Sequence, residues 1–172
     1  CKQRRRKMDT PRLSNTLFFA PPGCAELHIT HLFDAPVELV FKTWLDPKLV
    51  AEWWGPAYLT TTVEHMVPKS GGSYRIIQRE PSGETYGFRG VYHTVTAPHL
   101  IISTFEFDGF PDHVSLDSYR FEARGEQTLH TNFSVFQSLA DRDGMLASGC
   151  ESGVRETMSR MAALLQRLQE GV

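Results

Sequence analysis

The stretch FDAPVELVFKTWLDPKLVAEWWGP, residues 33–56, decides how the rest of the chain must be read. Val37, Val40, Phe41, Trp44 and Leu45 recur at i, i+3, i+4, i+7 and i+8, which places them on one face of a helix. Pro36 suits the first helical position, and Glu38 falls in the first turn, where its charge meets the positive end of the helix dipole. Asp46-Pro47 ends this helix and supplies both a cap and a first residue for a shorter one carrying Leu49, Val50, Trp53 and Trp54. Gly55 can take the left-handed conformation that closes a helix, and Pro56 stops its continuation. Adjacent helical residues point about 100° apart, so Trp53 and Trp54 cannot share one neighbour.

On either side of this pair of helices the periodicity changes. Upstream, residues 25–34 alternate as a strand, with Leu27, Ile29 and His31 on one face. Downstream, from about residue 59 to 138, period-two segments are separated by short turn sequences such as KSGG, PSGE, TAPH and RGEQ. In the first two, Leu59, Thr61, Val63 and His65 share a face, as do Tyr74, Ile76 and Gln78. Connections this short make successive strands antiparallel neighbours, so the segment reads as a meander. Helical period returns at the end: Val154, Met158, Met161, Leu165 and Leu168 form one stripe of a helix over about 150–169, with Ser148 and Glu151 spaced as a capping box. The order predicts an α+β domain in which an extended antiparallel sheet has its apolar face covered by a long C-terminal helix, with two short helices after the first strand.

Composition narrows the function. A hydrophobic share of 41% with 22% charged residues fits one globular domain without disulfides or metal, and no apolar run reaches membrane-spanning length. Six of the 18 basic residues lie in positions 1–12, leaving 12 basic against 19 acidic side chains in the remainder. Such an acidic body repels phosphate, which excludes nucleic acid as a partner of the folded part. Residues 1–24 read as a basic, disordered tail and 25–170 as the domain; residues 1–7, which precede Met8, read as upstream or appended sequence. Three cysteines without a C-x-x-C spacing, and no signal-peptide pattern, predict a reducing, cytoplasmic location. No histidine spacing suits zinc, and no metal or cofactor is expected.

The segments 33–56, PKSGGSYRI at 68–76, YGFRGVYHTVTAPHLIISTFEF at 86–107 and a last strand led by Thr128 together resemble the START-like helix-grip (SRPBCC) superfamily, which includes polyketide cyclases. Within it the chain is similar to bacterial stand-alone domains related to the C-terminal domain of the activator of the 90-kDa heat-shock protein ATPase. The resemblance spans about residues 25–169. It does not include the separate domain with which the eukaryotic activator engages its chaperone. Where family members often carry a Gly-Trp pair at the start of the last helix, this chain has Gly153-Val154, a smaller pair that leaves more room beneath the sheet.

What the resemblance implies is a cavity between sheet and terminal helix. One tryptophan of the pair is expected to seal the core and the other to face the cavity mouth. Trp53, Trp54, His65, Tyr74, Ile76, Gln78, Phe88, Tyr92, Phe133 and Met158 are the candidate lining residues. The expected role is binding of a small hydrophobic or aromatic molecule without catalysis and without membrane insertion. The alternatives are a cyclase- or hydrolase-like enzyme using His65 with Glu106 or Asp117, whose strand parity the sequence leaves open, or a protein-interaction module. The oligomeric state also stays open, with a homodimer among the candidate assemblies.

Overall fold

A computed structural model describes residues 15–171, so the basic run at 1–12 lies outside the described residues. Among the described residues eight strands form a single antiparallel sheet: β1 (Thr16–Phe19), β2 (Glu26–Phe33), β3 (Thr60–Met66), β4 (Ser73–Arg79), β5 (Thr85–Thr96), β6 (Leu100–Phe107), β7 (Val114–Arg124) and β8 (Gln127–Val135). Their order across the sheet is β1-β2-β8-β7-β6-β5-β4-β3, so the meander from β3 to β8 is continuous and the first two strands close onto its last one. The helices are α1 (Val37–Leu45), α2 (Pro47–Trp53), α3 (Leu139–Ala147) and α4 (Cys150–Glu170). This is the α+β helix-grip arrangement, with α4 gripped by the sheet.

Two sequence boundaries need correction. The stretch assigned to a disordered tail carries β1, which pairs with β2 from Thr16 opposite His31 to Phe19 opposite His28. Thr16 Oγ1 lies 2.7 Å from His31 Nδ1, so the strand is anchored by a buried side-chain bond as well as by its ladder. The capping box is also replaced. Ser148 ends a separate helix, α3, with its hydroxyl donating to the Met145 carbonyl, and Gly149 begins α4 at φ 82°. Only a residue tolerant of the left-handed region can make that break so tightly. Helix α3 starts at Ser138, whose hydroxyl accepts from the Asp141 amide at 3.0 Å. Buried Arg142 holds it down by donating to the carbonyls of Pro21 (2.7 Å) and Glu26 (3.4 Å).

The α1–α2 pair forms as its sequence dictates. Asp46 serves both helices, its amide donating to Lys42 O and its carboxylate accepting from the Lys48 amide at 2.9 Å. Val37, Val40 and Phe41 of α1 are buried, and Phe41 meets Phe121 of β7 edge-on at 5.4 Å. Met158, Met161, Leu164 and Leu165 complete the core from α4.

Candidate functional site

The two adjacent indoles have separate destinations. Trp53 is 2% exposed, its ring 4.9 Å from that of Trp44, and its Nε1 donates to the Thr43 carbonyl at 3.0 Å, pinning α2 to α1. Trp54 caps α2, keeps part of its surface accessible and meets Phe88 of β5 edge-on at 4.9 Å. Gly55 then turns the chain at φ 78°. A Cβ there would stand 1.7 Å from the Gln78 amide nitrogen, so both its conformation and its lack of side chain are required. Helix α4 bolts this turn in place: Arg160 donates to the carbonyls of Gly55 and Glu52, and Glu156 accepts from the Ala57 amide at 2.8 Å.

Between this turn, the inner face of the sheet and the first turns of α4 lies a cavity of about 610 Å³. Trp54, Pro56, Tyr58 and Glu156 line one end, and Met145, Ser148 and Cys150 belong to the α3–α4 side. A smaller hollow of about 100 Å³, bounded by Tyr74, Ile76 and Tyr92, shares Trp44, Trp53, Trp54, Phe105 and Tyr119 with it. Leu27, Ile29, Phe88, Phe105 and Met158 make the apolar wall. Beside the β2 and β6 residues of this wall, on the same sheet face, runs a polar strip from the inward positions of β7 and β8: Ser115, Asp117 and Tyr119, then His130, Asn132 and Ser134.

Most of the candidate lining residues are brought to this interior. Trp53, Trp54, Phe88 and Met158 line the larger space, and Trp53, Trp54, Tyr74, Ile76 and Tyr92 the smaller one. Tyr74 donates its hydroxyl to the Thr104 carbonyl at 2.7 Å. Gln78 is inward and 4% exposed but lines neither hollow; it reaches the Trp54 carbonyl and the Thr61 hydroxyl at 3.5 and 3.4 Å, supporting the turn from behind.

His65 and Phe133 face the other way. A bulge between Val63 and His65 puts Val63 opposite Ile76 and His65 opposite Arg75, so the alternation flips and Met66 takes the inward place. His65 is exposed, with Nε2 3.0 Å from the Ser73 hydroxyl. Phe133 sits on the outer face against His28, ring centroids 4.8 Å apart, because Thr128 and His130 on the opposite parity are fully buried. Glu106 is outward too: it is paired with Arg89, which holds its carboxyl below the usual range, and it accepts from the Asp112 amide at 2.9 Å.

Asp117 is the carboxylate that faces inward. It is 5% exposed and receives Ser115 and Tyr119 hydroxyls at 3.4 and 3.3 Å, both long bonds. Burial pushes its carboxyl up to about 6, with hydrogen bonds from Ser134, Tyr119 and Ser115 opposing. His130 is 1% exposed, packs at 4.5 Å from the Trp44 ring, and is lowered by desolvation to about 3, so it stays neutral. Its Nδ1 has no hydrogen-bond partner among the described residues. The polar strip escaped the sequence reading because β7 and β8 carry apolar residues on both faces; the Ser115-Asp117-Tyr119 alternation was its one signal.

Comparison with known proteins agrees with this fold. Among solved structures, a protein from Arthrobacter aurescens is 25% identical with a TM-score of 0.81, the match covering 88% of this chain and 91% of that one. Ms6760 from Mycobacterium smegmatis is 25% identical with a TM-score of 0.79, covering 87% and 96%. DynU16, from the dynemicin biosynthetic locus, shares the fold at 18% identity and a TM-score of 0.61, covering 86% of this chain and 48% of its own. The curated proteins contain no match. The family described as Activator of Hsp90 ATPase homolog 1-like protein matches over residues 34–166, from the end of β2 through most of α4, and the chain belongs to that family.

Proposed function

We propose that the protein binds a small, largely hydrophobic or aromatic molecule in the cavity between sheet and α4. The observation that carries this reading is the 610 Å³ space itself, walled by Trp54, Phe88, Phe105 and Met158 and lined also by the exposed Tyr58. A volume of that size lies in the range of small-molecule sites, and an apolar wall with a few convergent polar groups is what such sites share. Trp54 stands at the mouth, where an indole can stack on an entering ring.

The test is a fluorescence titration with phenylnaphthylamine, a neutral aromatic probe. Saturable binding to one site, weakened roughly ten-fold by Trp54→Ala, is expected. Absence of saturable binding at micromolar protein, or affinity indifferent to Trp54, would refute the reading. Native mass spectrometry of protein purified from its source gives an independent check: an apolar adduct of unaltered mass is expected, and the same spectrum counts copies as monomer or homodimer.

Asp117 favours a second reading, in which the protein transfers a proton to or from its bound molecule. Its raised carboxyl lies on the cavity wall, whereas His65 and Glu106 face outward. Turnover abolished by Asp117→Asn with binding retained supports it; recovery of the ligand unchanged after prolonged incubation counts against it.

A further inference from the structure

The acidic and basic side chains that line the cavity are of one sign. Two carboxylates line it, Asp117 within and Glu156 at the mouth, and no lysine or arginine does among the described residues. Among the described residues Asp117 has no ion pair; its partners are neutral hydroxyls, Tyr119 at 3.3 Å, Ser115 at 3.4 Å and Ser134. His130, on the same wall, is buried and neutral and supplies no charge. An ionised carboxylate in so dry a place lacks the water or counter-charge that normally stabilises it. Around it stand electron-rich rings, Trp44, Trp54 and Tyr119, whose faces attract cations. An anionic ligand would meet two carboxylates and no lysine or arginine, only the partial positive charge of the α4 N-terminus at Gly149 and Cys150, and a neutral alcohol would leave Asp117 without a counter-ion.

We infer that the cavity takes an organic cation, a protonated amine on an aromatic or alicyclic body, with its ammonium beside Asp117 and its apolar part against the indoles. The inference rests on the cavity being a ligand site and names the class of molecule that completes it. The ammonium supplies the charge the carboxylate lacks, and the rings share its field. Glu156 and the acidic body draw cations toward the mouth. On the wall Tyr119, His130 and Cys150 carry no charge near neutral pH to compete with Asp117, and neither does Tyr74 in the adjoining hollow.

The test compares three probes of one shape, naphthylmethylamine, naphthylmethanol and naphthoic acid, titrated calorimetrically against the intact chain. At neutral pH the amine is expected to bind at least about ten-fold tighter than the alcohol, and the acid weakest. Asp117→Asn is expected to bring amine and alcohol to within about two-fold of each other by weakening the amine alone. In the wild-type protein, amine affinity should rise as pH rises through about 6, while alcohol affinity stays flat. That profile decides the matter even if Asp117→Asn fails to fold. An alcohol that binds as tightly as the amine, or an amine profile without a step near pH 6, overturns the cation assignment and leaves the cavity reading standing. Failure of all three probes to bind overturns both.

Discussion

Among single residues, the indoles and the buried titratable groups bear the most consequence. Trp53 is enclosed and donates to Thr43, so truncation removes its apolar burial and leaves a hole where α1 and α2 meet. Trp53→Ala is expected to cost about 3–5 kcal/mol in a urea melt, against under about 1 kcal/mol for Trp54→Ala at the mouth. The contrast is the check: equal losses would mean that Trp54 is core. His31 and His130 are lowered to about 4 and about 3, chiefly by desolvation. A histidine whose folded value lies below its unfolded one contributes stability present above about pH 6.5 and lost as pH falls toward the folded value. Asp117 has the opposite sign, its folded value of about 6 favouring the native state as pH drops from 6 toward 4. Two histidines outweigh one carboxyl, so melting temperature should fall from pH 7 to pH 4.5. His130→Phe, which removes the unpartnered Nδ1 and keeps the ring, should flatten that fall. An unchanged slope in the variant would rule out His130 as its source.

At the scale of elements, α3 is the part the sequence did not announce. It is short and only weakly amphipathic, and the residues holding it, Ser138 and Arg142, look unremarkable in sequence. Arg142 nevertheless reaches two carbonyls of the β1–β2 connection, tying α3 to the sheet edge. Arg142→Met is therefore expected to accelerate hydrogen exchange in α3 and β1 together while β5 and β6 keep their protection. Exchange rising in α3 alone would show that the tie to the β1–β2 turn carries no load. Legibility varied with how local the signal was. Helices α1 and α2 were readable because Asp46, Pro47 and Gly55 act within a few residues of themselves. The α3–α4 break was misread because Ser148 and Glu151 mimic a capping box that Gly149, in a left-handed turn, forestalls.

For the whole molecule, stability and ligand are linked. A ligand that occupies the cavity only in the folded state raises stability by about 2.7 kcal/mol at a hundred-fold excess over its Kd. In a domain of this size that corresponds to a rise of several degrees in melting temperature. Naphthylmethylamine at saturating concentration should produce such a shift, reduced in Asp117→Asn. A saturating probe that leaves the melt unmoved would show that it binds the unfolded chain equally well. Among the described residues no helix is long and apolar enough to cross a membrane.

The sequence by itself determined the order of elements from β2 to β8, the antiparallel meander, the paired helices and the apolar stripe of α4, because each of these follows from periodicity and from punctuation within a dozen residues. Part of the apolar lining was legible for the same reason: Tyr74, Ile76, Phe88, Tyr92 and Met158 obey the simple periodicity of their own elements. Only the tertiary structure decided which polar residues share the interior. One extra residue in β3 turned His65 outward, and the buried Thr128 and His130 set a parity in β8 that expelled Phe133. A hollow that holds a ligand tolerates polar side chains where a packed core would not, so strand pattern alone could not tell the Asp117 face from the solvent face.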